Sequence, residues 1–411
     1  MLIVLGVTYA VNAMDRIVFS VLLPNVNKEY GFSLGQGGFL ATIFTLGIGL
    51  SGLPTGYLLD RVSRLNVMLI GIAIYSLLTI LSALSLGFWD MAAYRALSGI
   101  GEGMQNAALF TAVGAYFAAQ RAMAVGAMNF AYGMGSFIGP TLAAYILLWT
   151  GDWRAPLIVY GCLGFVVMVL AYWFVSPRFT EIGHQVAAQG SADASPVGAG
   201  LLNRNVVICG ISAMTLGVAG YGFIGLYPTF LRTELGFSVT QAGFAASLFG
   251  LGALFGIPAG WVADRADQRW IGITAMAVML VNSYLMFNVA HSPAAQNVLA
   301  FGFGAVGSGV LFVNTYSLIQ RCVRPEFIGR ASGIMVTCLY LPASLAGYLF
   351  ASLQAKFGWG DAASLQLCAV PLFAIVSMLF FDTKQLRPRP AVANDRPRTP
   401  SGISEKMEGL K

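Results

Sequence analysis

Charge is what this sequence most lacks. Of its 411 residues, 10% are Asp, Glu, Lys or Arg, while 57% are hydrophobic. So few charged side chains cannot shield that much apolar surface from water, which excludes an ordinary soluble protein. Histidine is nearly missing as well, with only His184 and His291, both between apolar runs. With no His inside the apolar body and no nucleophile beside a base, an enzyme is not expected. The five cysteines, Cys162, Cys209, Cys322, Cys338 and Cys368, contain no Cys-x-x-Cys. They read as small core residues, so neither a disulfide framework nor a metal site is expected, and no cofactor is called for. No Gly-x-x-x-x-Gly-Lys-Ser/Thr occurs, which argues against a self-contained ATP-driven pump. Gly99, Gly101 and Gly103 fall inside an apolar run and read as packing glycines. The first ten residues have no basic segment and lead into Asp15-Arg16. They read as a spanning helix and not as a cleaved signal.

What is present is a series of long apolar runs. A helix crosses a bilayer with roughly 20 mostly apolar residues. Twelve runs of that kind are expected, near residues 2–24, 35–58, 66–87, 89–116, 122–148, 155–176, 205–230, 239–262, 270–290, 295–319, 330–354 and 361–381. The expected fold is an all-α integral membrane protein with twelve transmembrane helices in two pseudo-symmetric six-helix bundles. The bundles are residues 1–176 and 205–383. Residues 177–204 read as a cytoplasmic linker, and 384–411, with four prolines among basic residues, as a disordered cytoplasmic tail.

An internal repeat supports two halves. Glu29-Tyr30-Gly31-Phe32-Ser33 recurs as Glu234-Leu235-Gly236-Phe237-Ser238, an offset of 205. Gly52-Leu53-Pro54-Thr55-Gly56 recurs as Gly256-Ile257-Pro258-Ala259-Gly260, and Asp60-Arg61 as Asp264-Arg265, an offset of 204. One residue is therefore lost within the eighth helix. Such a block at the half-length offset implies duplication.

The net charge of +6 does not signal nucleic acid, because its placement follows the membrane. Arg61, Arg64, Arg121, Arg204, Arg265, Arg321 and Arg330 fall in even-to-odd loops, and the tail adds more. The opposite face holds only Lys28, Arg154, Arg232 and Lys356. By the positive-inside rule both termini are cytoplasmic, in a multi-pass protein of the cell inner membrane. A monomer in the lipid bilayer is the expected state.

Gly56-Tyr57-Leu58-Leu59-Asp60-Arg61-Val62-Ser63-Arg64 resembles the loop 2–3 signature of the major facilitator superfamily, with Ser63 in place of the usual second glycine. Asp60 can cap a neighbouring helix start, where the dipole favours an anion. The resemblance implies a latch built from Asp60, Arg61 and Arg64, with Asp264 and Arg265 as the second copy. A plain positive-inside loop is the competing reading. Gly135-x-x-x-Gly139-Pro140 resembles the superfamily's helix 5 motif, and close helix packing is the better account of it.

Four charges lie well inside the spans, away from their ends: Asp15 and Arg16 in helix 1, Arg95 and Glu102 in helix 4. Each costs about 2.5–3.5 kcal/mol on insertion scales, so each is functional by default. Arg95 and Glu102, seven residues apart, share a helix face, which Gln105 and Asn106 extend. Asp15 and Arg16 point about 100° apart. Asn12-Ala13-Met14-Asp15-Arg16 with Arg95-x-x-Ser98-Gly99-x-Gly101-Glu102 resembles the superfamily's anion:cation symporter branch. Ala13 stands where that branch has a tyrosine. Spinster-like lipid transporters share the pattern. Two purely structural ion pairs are the competing reading, although buried pairs seldom add net stability.

The expected function is alternating-access secondary transport, with proton-coupled symport of a small organic anion such as a carboxylate. Arg16, Arg95, Gln105, Asn106, Tyr132, Tyr221 and Asn314 are the candidate substrate residues. Tyr9 and Tyr340 are weaker cavity candidates. Burial and a neighbouring guanidinium push a carboxyl pKa in opposite directions, so a change of surroundings can load or release a proton. Asp15 and Glu102 are the candidates for that coupling. An amphipathic lipid or drug-like substrate, taken up or exported, is the alternative. A membrane-embedded enzyme or sensor is the reading from another class.

Overall fold

In lipid, every backbone N–H and C=O must be satisfied within the chain, and an apolar helix does this with its own bonds. The computed structural model describes residues 1–32, 34–177, 179–180 and 200–386, and no strand occurs among them. The first half comprises α1 (Leu2–Tyr30), α2 (Leu34–Leu58), α3 (Arg64–Ala83), α4 (Phe88–Tyr116), α5 (Arg121–Thr150) and α6 (Arg154–Phe174). The second half begins with α7 (Arg204–Thr233). Two pieces, Val239–Ala253 and Gly256–Ala263, make up α8, and α9 is Gln268–Asn288. Pro293–Arg321 is α10, interrupted by a π-helical stretch at Ala305–Phe312. Helical bonding is continuous over Ile328–Ala363, but Gly358 stands at φ +81° and divides it. Residues 328–357 are α11. Residues 359–379 are α12, which contains a second π-helical stretch at Ser364–Ala369.

Twelve spans follow from these lengths. Eight stretches are individually long and apolar enough to cross a bilayer, and one of them, Pro325–Leu379, has 55 residues and holds two spans. The pair α4 and α5 passes together across a 103° bend, and α2 contributes the apolar Ile43–Leu58. Most of the expected linker (178 and 181–199) and tail (387–411) lies outside the described residues.

The duplication is visible in the backbone. Gly31 after α1 and Gly236 after α7 both have φ +68°. A left-handed turn at those matching places suits glycine, which carries no Cβ. The residue lost from α8 is also visible. Its two pieces meet at Leu254 and Phe255, within the interval where the repeat offset changes. There Leu254 N bonds to Leu251 O at 3.2 Å and Phe255 N to Gly252 O at 3.0 Å, both three residues back. That tighter winding uses fewer residues per turn, which fits one residue fewer between the matched motifs.

Small residues set the helix contacts. Within the first half, Gly135 packs on Ala10 and Gly139 on Met14, so the helix 5 motif brings α5 against α1. Between the halves, α2 meets α11 where a Cβ on Gly333 would strike the Gly52 carbonyl. The matching pair is α5 with α8, where a Cβ on Gly126 would strike the Gly256 carbonyl. These pairs, α2/α11 and α5/α8, are equivalent under the repeat.

Candidate functional site

The four charged side chains of α1 and α4 are all buried: Asp15 and Glu102 at 0% exposure, Arg95 at 1% and Arg16 at 2%. Arg16 Nε lies 2.8 Å from Glu102 Oε2, which joins α1 to α4. Arg16 Nη1 donates to the Tyr340 hydroxyl at 2.8 Å, which joins α1 to α11 of the other half. Asp15 turns into its own half, where its carboxylate accepts from the Thr79 hydroxyl of α3 at 2.9 Å. The charges of Arg95 and Arg16 act on it.

Arg95 is the least satisfied of the four. Its guanidinium carbon sits 4.6 Å from the Phe19 ring centroid and 5.3 Å from that of Phe44. Among the described residues, none of its three side-chain nitrogens has a hydrogen-bond partner. Two cation–π contacts, each about 2 kcal/mol when desolvated, stand against several kcal/mol for removing the ion from water. The charges of Asp15 and Glu102 supply the rest, since both act on Arg95. The quartet is formally neutral and short of hydrogen bonds, so protonating either carboxylate leaves a guanidinium with less to hold it.

A cleft lies between the halves. The first half contributes Tyr9 from α1, with Asn129 and Tyr132 from α5. The second half contributes Leu216, Tyr221 and Ile224 from α7 and Phe249 from α8. Phe303, Ser308 and Phe312 come from α10, and Leu339 and Tyr340 from α11. Arg16 reaches this wall from behind, its guanidinium carbon 5.4 Å from the Tyr340 ring centroid and 5.8 Å from that of Tyr132. The charged quartet therefore meets the cleft at one guanidinium.

Of the expected substrate residues, Tyr132 and Tyr221 line the cleft and Arg16 touches its wall. Four others are placed elsewhere. Arg95 is enclosed by Phe19 and Phe44 within the first half. Gln105 accepts from Asn12 Nδ2 at 2.9 Å and donates to the Thr8 carbonyl at 3.2 Å, so it ties α4 to α1. Asn106 donates to the Tyr9 hydroxyl at 3.3 Å and so braces a cleft residue. Asn314 donates to the Gln268 carbonyl at 2.9 Å, where α10 meets α9. Gln105 and Asn314 each have a backbone partner there, which spacing alone does not reveal.

The halves are tied together between the cleft and the face that carries both termini. Asp60 pairs with Arg330 of α11. Asp264 accepts from the Ala122 and Met123 N–H groups at 3.0 and 2.8 Å, capping α5. Thr337 of α11 enters the α2 ladder, donating to the Gly49 carbonyl at 2.8 Å and accepting from the Leu53 N–H at 3.0 Å. At the cleft floor, Asn129 Nδ2 donates to the Ser308 carbonyl at 2.9 Å and to the Ala253 carbonyl at 3.2 Å. It thus binds the π-helical stretch of α10 and the break in α8 to α5. Arg64 donates to the Thr180 carbonyl at 3.0 Å, at the start of the segment that follows α6. Arg265 lies over the Trp261 ring, 4.1 Å from its centroid, and Arg61 is exposed.

The sequence matches the profile of the Major Facilitator Superfamily over residues 5–347. The chain belongs to the major facilitator superfamily. It is therefore a multi-pass membrane transporter and not an enzyme. It is 24% identical to the membrane sensor protein UhpC of Escherichia coli K12, over 94% of this chain and 92% of that protein. It is 25% identical to the gallate transporter of Pseudomonas putida, over 93% and 91%. It is 23% identical to the D-galactonate transporter of Escherichia coli O6:H1, over 81% and 84%. The proton:xylose symporter XylE superposes with a TM-score of 0.77 at 16% identity, covering 93% of this chain and 95% of that one.

Within this superfamily fold, the aspartates of both Asp-Arg loops reach across the interface. The first aspartate pairs with a side chain across the interface, and the second caps a helix. Arg330 was legible only as a positive loop residue, because its partner is 270 positions away. Thr337, Asn129 and Ser308 carry no charge and no motif, so no sequence signal marks them.

Proposed function

We propose that this chain is a proton-coupled symporter that takes up a small organic anion by alternating access. One observation carries the reading. A single buried guanidinium, Arg16, is shared between a carboxylate, Glu102, and a hydroxyl on the cleft wall, Tyr340. A guanidinium held by a carboxylate has little attraction left for a substrate anion. Protonating Glu102 frees it, so proton and anion load together. Releasing the proton returns Arg16 to Glu102 and expels the anion. Asp15 is the second carboxyl in the cycle, and Arg95 is the counter-charge that follows it. Relatives named for gallate and for D-galactonate, both organic acids, support an anionic substrate. The bundles 1–176 and 205–383 would rock about the cleft, with Asp60, Arg61, Arg64, Asp264 and Arg265 biasing the face that carries the termini. That face is cytoplasmic in this proposal, the membrane is the inner membrane, and the working unit is a monomer.

Uptake of labelled organic acids into proteoliposomes, with and without an inward proton gradient, tests the reading. Uphill uptake that collapses with the gradient is expected. Saturable uptake indifferent to the gradient removes the proton. No uptake of any anion removes the transporter reading of the site in favour of a sensor.

A further inference from the structure

The cleft has polar groups at its floor and beside Arg16, and those of the floor are bonded to one another. Asn129 and Ser308 bond to each other, the amide donating to the Ser308 carbonyl and the Ser308 hydroxyl donating to Asn129 Oδ1 at 3.3 Å. The Tyr9 hydroxyl accepts from Asn106 and keeps its own proton to donate, near Tyr132 and Arg16. What remains is gathered near Arg16. Its Nη2 has no hydrogen-bond partner among the described residues. The Tyr340 hydroxyl accepts from Arg16 and keeps its own proton to donate. Tyr221 lies beside Tyr340, ring centroids 5.9 Å apart. Away from that corner the wall is Leu216, Ile224, Phe249, Phe303, Phe312 and Leu339. Phe303 and Phe249 both pack on Phe223, and Phe312 packs on Phe110 at 5.6 Å between centroids, so the rings are fixed in place.

We propose that the substrate is an anion with an apolar ring for its body, an aryl or cycloalkyl carboxylate, and not a polyhydroxylated sugar acid. The inference rests on the anion-symport reading and narrows it. The carboxylate takes Arg16 and Tyr340, while the ring lies against the phenylalanines and aliphatic residues of the second half. A sugar acid brings a hydroxyl on nearly every carbon. Against this wall most of them find no partner, and each unpaired polar group costs about 1–3 kcal/mol. A ring gains instead from burial and from edge or face contact with aromatic side chains. A site lacking polar partners discriminates against hydroxyls through their desolvation.

Calorimetric titration of the purified transporter in detergent tests this. The probes are 4-hydroxybenzoate, cyclohexanecarboxylate and indole-3-acetate, against gluconate and galactonate. Both ring acids and indole-3-acetate are expected to bind at least tenfold tighter than either sugar acid, with binding weakened about a hundredfold in Arg16→Ala. In Ile224→Asn and Phe312→Asn the gap should narrow at least threefold. Gluconate or galactonate binding as tightly as the ring acids, in an Arg16-dependent way, overturns this inference and leaves the anion reading standing. Equal binding of all five by wild type and Arg16→Ala overturns both, as does no binding of any.

Discussion

The Arg16 guanidinium bridges the two halves at the cleft, with Glu102 2.8 Å from its Nε in the first half and the Tyr340 hydroxyl 2.8 Å from its Nη1 in the second. Substrate site, coupling carboxylate and domain interface therefore converge on one side chain. Removing Tyr340's hydroxyl should weaken anion binding about tenfold, since a hydrogen bond to a charged group contributes about 1.5–3 kcal/mol. Arg16→Ala should weaken it about a hundredfold. It also leaves Glu102 buried without its partner, which destabilises by about 3–5 kcal/mol. The double variant Arg16→Ala, Glu102→Gln removes both charges and should recover thermal stability without recovering binding. If the double variant binds as wild type does, Arg16 is a structural residue.

Glu102→Gln should abolish gradient-driven accumulation and leave counterflow exchange at about half the wild-type rate or more. Exchange needs the anion site but no net proton movement. The amide also releases Arg16, so binding should lose the pH dependence that Glu102 confers. Uphill uptake that persists in this variant removes Glu102 from the coupling.

Arg95→Ala should act on rate more than on affinity. Its guanidinium is enclosed by Phe19 and Phe44 and lies off the cleft wall, so a bound anion does not touch it. Its charge does act on Asp15. The expected result is a maximal rate at least tenfold lower, a dissociation constant within threefold of wild type, and a shifted pH profile. Arg95→Lys keeps the charge and should restore the pH profile. A large loss of affinity with an unmoved pH profile would return Arg95 to the substrate.

Much of this architecture was legible in the sequence, for reasons that particular residues make plain. Apolar length and the repeat at Gly31 and Gly236 give twelve helices in two halves, because lipid leaves the backbone no alternative to helix. Asp15, Arg16, Arg95 and Glu102 stand out because each charge is costly in hydrocarbon. What sequence reading missed are neutral contacts and changes of winding. Thr337 is an ordinary hydroxyl until α2 is placed beside it. The π-helical stretch at Ala305–Phe312 has no compositional signature, since its Gly and Val residues serve an α-helix equally well. Asn314 and Gln105 look like cavity residues in one dimension. In three, their amides are held by the Gln268 and Thr8 carbonyls.

Thr337→Val should loosen the contact between α2 and α11. The hydroxyl stands in the bond that would otherwise run from the Leu53 N–H to the Gly49 carbonyl, and valine matches its shape without either bond. Losing two hydrogen bonds of about 0.5–1.5 kcal/mol each moves the closed population on this side by roughly tenfold. Transport should slow while the competitor profile holds. Hydrogen exchange at Leu53 reports the change directly. Protection there equal to wild type would show that α2 closes its own ladder and that Thr337 is passive.

Asp60→Asn tests the latch itself. Asp60 pairs with Arg330 across the interface and stands against Gly329 at the start of α11. Asp264, its counterpart in the repeat, caps α5 through two N–H groups. The two aspartates thus close one face of the transporter at equivalent places of the repeat. The asparagine keeps the size and one acceptor but removes the charge from a pair in which Arg330 is 32% exposed and Asp60 15%. Partial solvent screening limits the loss to about 1 kcal/mol. That is enough to raise the open population several-fold and too little to unfold the protein. Because the residue lies beyond the cleft floor, the set of competing substrates should not change. Cysteine labelling from each side of the membrane, with a single thiol introduced between α2 and α11, should show faster labelling from the face that carries the termini. Asp264→Asn should give a smaller increase, since the amide oxygen still accepts from one of the two N–H groups. Labelling identical to wild type, or an altered competitor profile, would defeat the latch and leave the loop as a topology signal.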